Sequence, residues 1–124
     1  MVALKFIAKL YGAQSGDFLI YFTQLIESLN ARAMHLLKIE DTETSYQLLT
    51  WCEKITQPAK YGDFPMLRNL TLNNLGCLYR RMGKLQVALN CLHDALFYLE
   101  RANALTDSAT TYLNLCAVLS QMGK

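Results

Sequence analysis

An all-α fold of antiparallel helix pairs is the architecture this sequence predicts, and three observations carry it. Apolar residues recur at the spacing of an amphipathic helix along most of the 124 residues. Only 6 Gly and 2 Pro interrupt them, too few for the frequent turns of a many-stranded β-sandwich. The chain also repeats itself: LNNLGCLYRRMGK (Leu72–Lys84) aligns without a gap on YLNLCAVLSQMGK (Tyr112–Lys124), at an offset of 40 residues. That alignment puts Asn74 on Asn114, Leu75 on Leu115 and one Met-Gly-Lys on the other.

The elements follow in order. Asp17 can cap a helix that opens on FLIYF and runs to about Ile39, and Glu40-Asp41-Thr42 reads as its break. Thr44 to Ile55 continues as a helix, with Tyr46, Leu48, Leu49 and Cys52 toward the core and Trp51 nearby. The stretch TQPAKYGDFP, Thr56 to Pro65, holds both prolines and a glycine and reads as the clearest loop. Arg68 to Met82 and Leu85 to Arg101 are two helices joined by a very short turn, which forces them antiparallel. Leu85, Ala88, Leu92, Ala95, Leu96 and Leu99 form one apolar face of the second. Gly76, Ala88 and Ala95 lack bulk where the two helices must approach closely. Gly83 and Gly123 are the residues that most readily adopt the left-handed conformation closing a helix. Thr106 or Asp107 caps the last helix, giving about six helices and no strands.

Composition bounds the function. The length suits one domain spanning 1–124, and a 52% hydrophobic content supplies a core. A net charge of +2 argues against a polybasic nucleic-acid arm or a strong pull toward anionic membranes. The most apolar stretch, Phe18 to Ile26, lies between Asp17 and Glu27 and is far shorter than the ~20 residues a spanning helix needs. Lys5 and Lys9 break the apolar start MVALKFIAKLYGAQSG and disfavour a signal peptide. Cys52, Cys77, Cys91 and Cys116 lie far apart in helical patterns, and none forms a CxxC pair. They read as reduced core hydrophobes, which points to the cytoplasm, and no metal or other cofactor is expected.

Leu72-x2-Leu75-Gly76-x2-Tyr79-x8-Ala88-x3-Leu92-x2-Ala95 resembles the tetratricopeptide repeat, with Leu72 where that family has tryptophan and Leu92 where it has an aromatic residue. The string TLNNLGCLYRRMGK and the 40-residue period are most similar to the long-repeat subclass found in kinesin light chains. A second match is Leu29-x2-Arg32-Ala33-x2-Leu36-x8-Ser45-x3-Leu49-x2-Cys52, where Arg32 departs from the usual leucine. The resemblance divides the chain into an N-terminal helical segment (1–28), a divergent repeat (29–56), the best repeat (69–101) and the first helix of an incomplete repeat (109–124). It implies a right-handed solenoid whose first helices line a concave, peptide-binding groove.

On that implication Asn74 and Asn114 face the groove, with Asn73, Cys77 and Arg81 beside them. An Asn side chain offers a donor and an acceptor to an extended peptide backbone, and Arg81 can fork onto a carboxylate. The competing reading has the two asparagines bonded to each other or to a neighbouring turn. Arg80 and Lys84 read as a solvated helix end whose cations complement the dipole. His93, Asp94 and Cys91 point in different directions from one helix, and His35 stands alone, so neither group makes a nucleophile or metal site. There is no HExxH, and Gly12 and Gly16 do not form a phosphate loop. Trp51 and the tyrosines 46, 61 and 79 fall at core or loop places.

The expected function is therefore a non-enzymatic protein-interaction module that holds a peptide segment of a partner, an acidic one where Arg81 engages it. No nucleic acid or membrane is expected. The alternatives are a structural assembly or capping segment of a larger scaffold, and a regulatory domain of a larger protein. Self-association through the C-terminal end belongs to the same reading, because the helix after Tyr112 is expected to present Leu115, Val118 and Leu119 with little cover.

Overall fold

A computed structural model describes residues 16–123. Of the expectations above, those on the start of the chain before Gly16 and on Lys124 lie outside the described residues. Six α-helices and one 3-10 turn make up the described structure, with no strand among the described residues. They are α1 (Gly16–Lys38), α2 (Thr42–Ile55), α3 (Pro58–Tyr61), α4 (Pro65–Arg81), α5 (Leu85–Arg101) and α6 (Ala109–Gln121), with the 3-10 turn Leu105–Asp107 before α6.

Helix ends follow one recurring design. α1 stops where Glu40 takes φ 67°, so that Asp41 N–H donates back to Leu36 O at 2.8 Å. α4 stops at Gly83 (φ 78°) with Lys84 N–H on Tyr79 O, and α5 at Asn103 (φ 54°) with Ala104 N–H on Leu99 O. Each left-handed residue lets the chain reverse while satisfying the last carbonyls. Gly123, at φ 79°, repeats the conformation of Gly83 forty residues on, as the two Met-Gly sequences predict. Asp41 then opens α2 at once, its Oδ1 accepting from Thr44 N–H at 3.2 Å.

Three boundaries differ from expectation. Pro58 and Pro65 start α3 and α4 rather than marking only a loop, because proline's fixed φ suits the first helical turn, where its missing N–H is no loss. α2 begins at Thr42, since the Asp41 cap lies just before it. Ser108, not Thr106 or Asp107, precedes α6, and it makes no side-chain cap; those two residues belong to the 3-10 turn.

α4 is the central helix. It packs against α1, α2, α5 and α6, while α1 pairs with α2 and α5 with α6. The buried apolar residues form three clusters. Phe18, Phe22, Ile26, Cys52 and Leu67 fill one end, lined by Trp51, Tyr61 and Phe64. Ala33, Leu37, Leu49, Leu72, Leu75, Leu78 and Ala95 fill the middle. Ala88, Leu92, Leu115 and Val118 join α5 to α6. Close approach of α4 and α5 depends on Gly76: a Cβ there would lie 2.6 Å from Leu92 Cδ2.

Leu115 and Val118 are buried, contrary to the expectation that they would lack cover. Ala88 and Leu92 of α5 pack on them, so the uncovered apolar residues of α6 are others, Tyr112 and Leu113.

Candidate functional site

The surface shared by α1 and α4 is held together by buried amides. Asn30, on α1, donates from Nδ2 to Ile26 O (2.9 Å) and to Thr71 Oγ1 (3.1 Å). Its Oδ1 accepts from Asn74 Nδ2 at 2.8 Å. Asn74 is half-buried there. Its amide therefore bridges two helices, and its partner is Asn30 rather than Asn114 or a neighbouring turn.

Asn73 points elsewhere. Successive helical residues are about 100° apart, so Asn73 and Asn74 cannot share a face. Asn73 is buried, and its Nδ2 donates to Asn69 Oδ1 at 3.2 Å. Asn69 in turn donates to Ala95 O on α5 at 2.8 Å. The expectation that Asn73 lies beside Asn74 in one groove is corrected by this geometry: Asn73 belongs to the α4–α5 contact.

Asn74, Cys77 and Arg81 do share a face, at the i, i+3, i+7 spacing. Cys77 is half-buried against the middle of the core. Burial pushes its thiol above 9.0, an effect that the Arg80 charge partly opposes. A raised thiol is mostly uncharged near neutral pH and is a poor nucleophile. Cys91, at about 11, and Cys52, at about 12, are pushed up chiefly by burial. All four cysteines are free thiols.

Arg81 reaches from α4 to the end of α1, where Nη2 donates to Leu37 O at 3.3 Å. Around it opens a cleft of about 390 Å³ lined by Ala31, Met34, His35, Leu37, Lys38 and Arg81. Three basic side chains thus rim a floor of Ala31, Met34 and Leu37. A second depression, lined by Leu37, Glu40, Thr42 and Arg81, continues from it past the α1–α2 turn. His35 and Lys38 are members of this site that sequence reasoning set aside or left unread. The signal was present: Ala31, Met34, His35 and Lys38 fall at i, i+3, i+4 and i+7, a second face of α1 beside the buried one. Asn114 is half-buried on α6, which packs against α4.

A separate polar cluster stabilises the opposite side of α4. Arg68, almost fully buried, donates to Glu53 O (2.9 Å), Thr56 Oγ1 (3.1 Å) and Glu53 Oε1 (3.1 Å). Its guanidinium also lies 4.9 Å from the centre of the Tyr98 ring. These contacts join α2, α4 and α5, and Arg101 pairs with Asp63 at the far end of α5.

Among the described residues no group of His, Cys, Asp and Glu is placed to hold a metal ion, and no helix is long and apolar enough to cross a membrane. No protein-family model, curated protein or solved structure matches the chain.

Proposed function

We propose that the surface built by α1, α4 and α6 binds an extended peptide segment of a partner protein, without catalysis, in the manner of a tetratricopeptide-like helical stack. One observation carries the reading: the cleft between α1 and α4 sets His35, Lys38 and Arg81 around an apolar floor. Such a site suits a peptide that presents a carboxylate next to an apolar side chain. The succession of contacts from α1 to α4 to α6 supports it, because it lays the three helices side by side. The 40-residue repeat supports it as well, placing Asn114 where α4 has Asn74. The free thiols suit a reducing compartment such as the cytoplasm.

Arg81→Ala with Lys38→Ala is the informative variant, because both side chains stand on the rim and are exposed. Acidic, apolar-rich fluorescent peptides, read by anisotropy, should bind the double variant at least about tenfold more weakly, equivalent to about 1.4 kcal/mol. The loss should shrink as salt is raised, since exposed charges are screened. Equal affinity of the variant and the parent chain at low salt would reject the site. Asn74→Ala is a poorer probe, because it also leaves the buried Asn30 carbonyl without its donor.

A second reading, in which the chain is an assembly segment, is favoured by one specific observation. Leu113 and Tyr112 are the most exposed large apolar residues of α6, at 70% and 53%.

A further inference from the structure

Two buried polar atoms without a hydrogen-bond partner lie on helices that pack together: Oδ1 of Asn73 on α4 and Oγ1 of Thr111 on α6. Burying such an atom unpaired is costly, so each needs a partner. The internal repeats point to one. The two matches to the repeat pattern set Asn30 of α1 on Asn73 of α4, an offset of 43 residues. The 40-residue period sets Thr71 and Asn74 of α4 on Thr111 and Asn114 of α6.

Asn30, Thr71 and Asn74 are the residues that clip α4 to α1. The Asn30 amide donates to the carbonyl four residues back, Ile26 O, and across to Thr71 Oγ1, while its Oδ1 accepts from Asn74. The step from α4 to α6 carries the same three residue types at the same three places. Its local bond is already made, because Asn73 Nδ2 donates four residues back to Asn69 Oδ1. Asn69 must turn its Nδ2 to Ala95 O, so its Oδ1 faces Asn73, and this fixes which way round the Asn73 amide stands. What is left unused matches what a clip needs. Asn73 keeps one amide hydrogen and its Oδ1, Thr111 keeps its Oγ1, and Asn114 makes no hydrogen bond among the described residues.

We propose that α6 closes onto α4 through a second copy of the α1–α4 clip, in which Asn73 donates to Thr111 Oγ1 and accepts from Asn114 Nδ2. The structure describes the open setting. Closing extends the polar chain that runs from Ala95 of α5 through Asn69 and Asn73, and so ties α6 to both of its neighbours. It also engages the Asn114 amide, which is offered to a ligand only in the open setting. The clip concerns how α6 is held and does not depend on the peptide-binding reading.

Thr111→Val tests it through the sign of its effect, because the hydroxyl is lost while size and helix propensity barely change. Valine is the more stable residue if the buried hydroxyl stays unpaired, and the less stable one if Asn73 donates to it. Urea denaturation of the full chain should show Thr111→Val raising the unfolding constant by about fivefold, as Thr71→Val should in the clip already made. In an Asn73→Ala background, which removes the Asn69 bond from both chains compared, the loss should vanish. By nuclear magnetic resonance, the Asn114 side-chain amide should exchange with solvent as slowly as that of Asn74 and show nuclear Overhauser contacts to Asn73. Three results would each overturn the proposal: Thr111→Val as stable as the parent or more so, a loss that persists without Asn73, or an Asn114 amide that exchanges as fast as that of exposed Asn103.

Discussion

At the scale of single residues, the turns are where chemistry and geometry disagree most. Gly83 and Gly123 occupy left-handed backbone with no Cβ to clash, but Glu40 occupies it with a full side chain at φ 67°. The conformation costs an L-residue about 1–2 kcal/mol, which glycine does not incur. Glu40→Gly should therefore raise stability by about 1 kcal/mol, measured by urea denaturation. No change, or a loss, would mean that the Glu40 side chain contributes more than its backbone costs. The glycine stops were legible in the sequence because glycine announces this conformation, whereas Glu40 read only as part of a break. The asparagines show the same limit. Their recurrence at one repeat phase was visible, but the partner of Asn74 is Asn30, which lies 44 residues away and outside the repeat register. No one-dimensional pattern links those two positions.

At the scale of elements, the α4–α5 pair depends on bulk being absent at one point. Leu92 is fully buried, and its Cγ would stand 2.7 Å from a Cβ at position 76, so it has little room to retreat. Gly76→Ala gains about 1 kcal/mol of helix propensity, yet overpacking a rigid site costs about 1–3 kcal/mol. A net loss of up to about 2 kcal/mol is expected. In a Leu92→Ala background the same change should become neutral or stabilising, and additive losses in the double variant would contradict the close contact. The helices themselves were legible from apolar spacing, and so was the need for small residues at Gly76, Ala88 and Ala95. The pattern did not reveal that Pro58 and Pro65 begin helices, since proline marks loops and first turns alike. It also mistook which residues of α6 lack cover. Leu115 and Val118 are as apolar as Leu113, and only the position of α5 determines which of them it buries.

At the scale of the whole molecule, α4 ties the stack together, and the thiols and phenol packed around it link stability to pH. Burial raises Cys52 from 9.0 to about 12 and Cys91 from 9.0 to about 11. Burial and the neighbouring Tyr46 raise Tyr79 from 10.0 to about 12. Above about pH 9 to 10 each group is still held neutral in the folded chain but ionises once the chain unfolds. Their stabilisation is thus complete below about pH 9 and is lost progressively between pH 9 and 12. The thermal midpoint, held in a reducing buffer, should fall steadily over that window, and Cys52→Ala should blunt the fall. A midpoint that is flat to pH 11 would contradict the burial of these groups. The proposed peptide-binding surface spans α1, α4 and α6. Amide chemical-shift mapping of the isotope-labelled chain, titrated with an acidic, apolar-rich peptide, tests it most directly. Shifts are expected to concentrate at residues 31–38 of α1, 74–81 of α4 and 114–121 of α6. Shifts confined to the outer faces of α2 and α5, or no shift at saturating peptide, would contradict it.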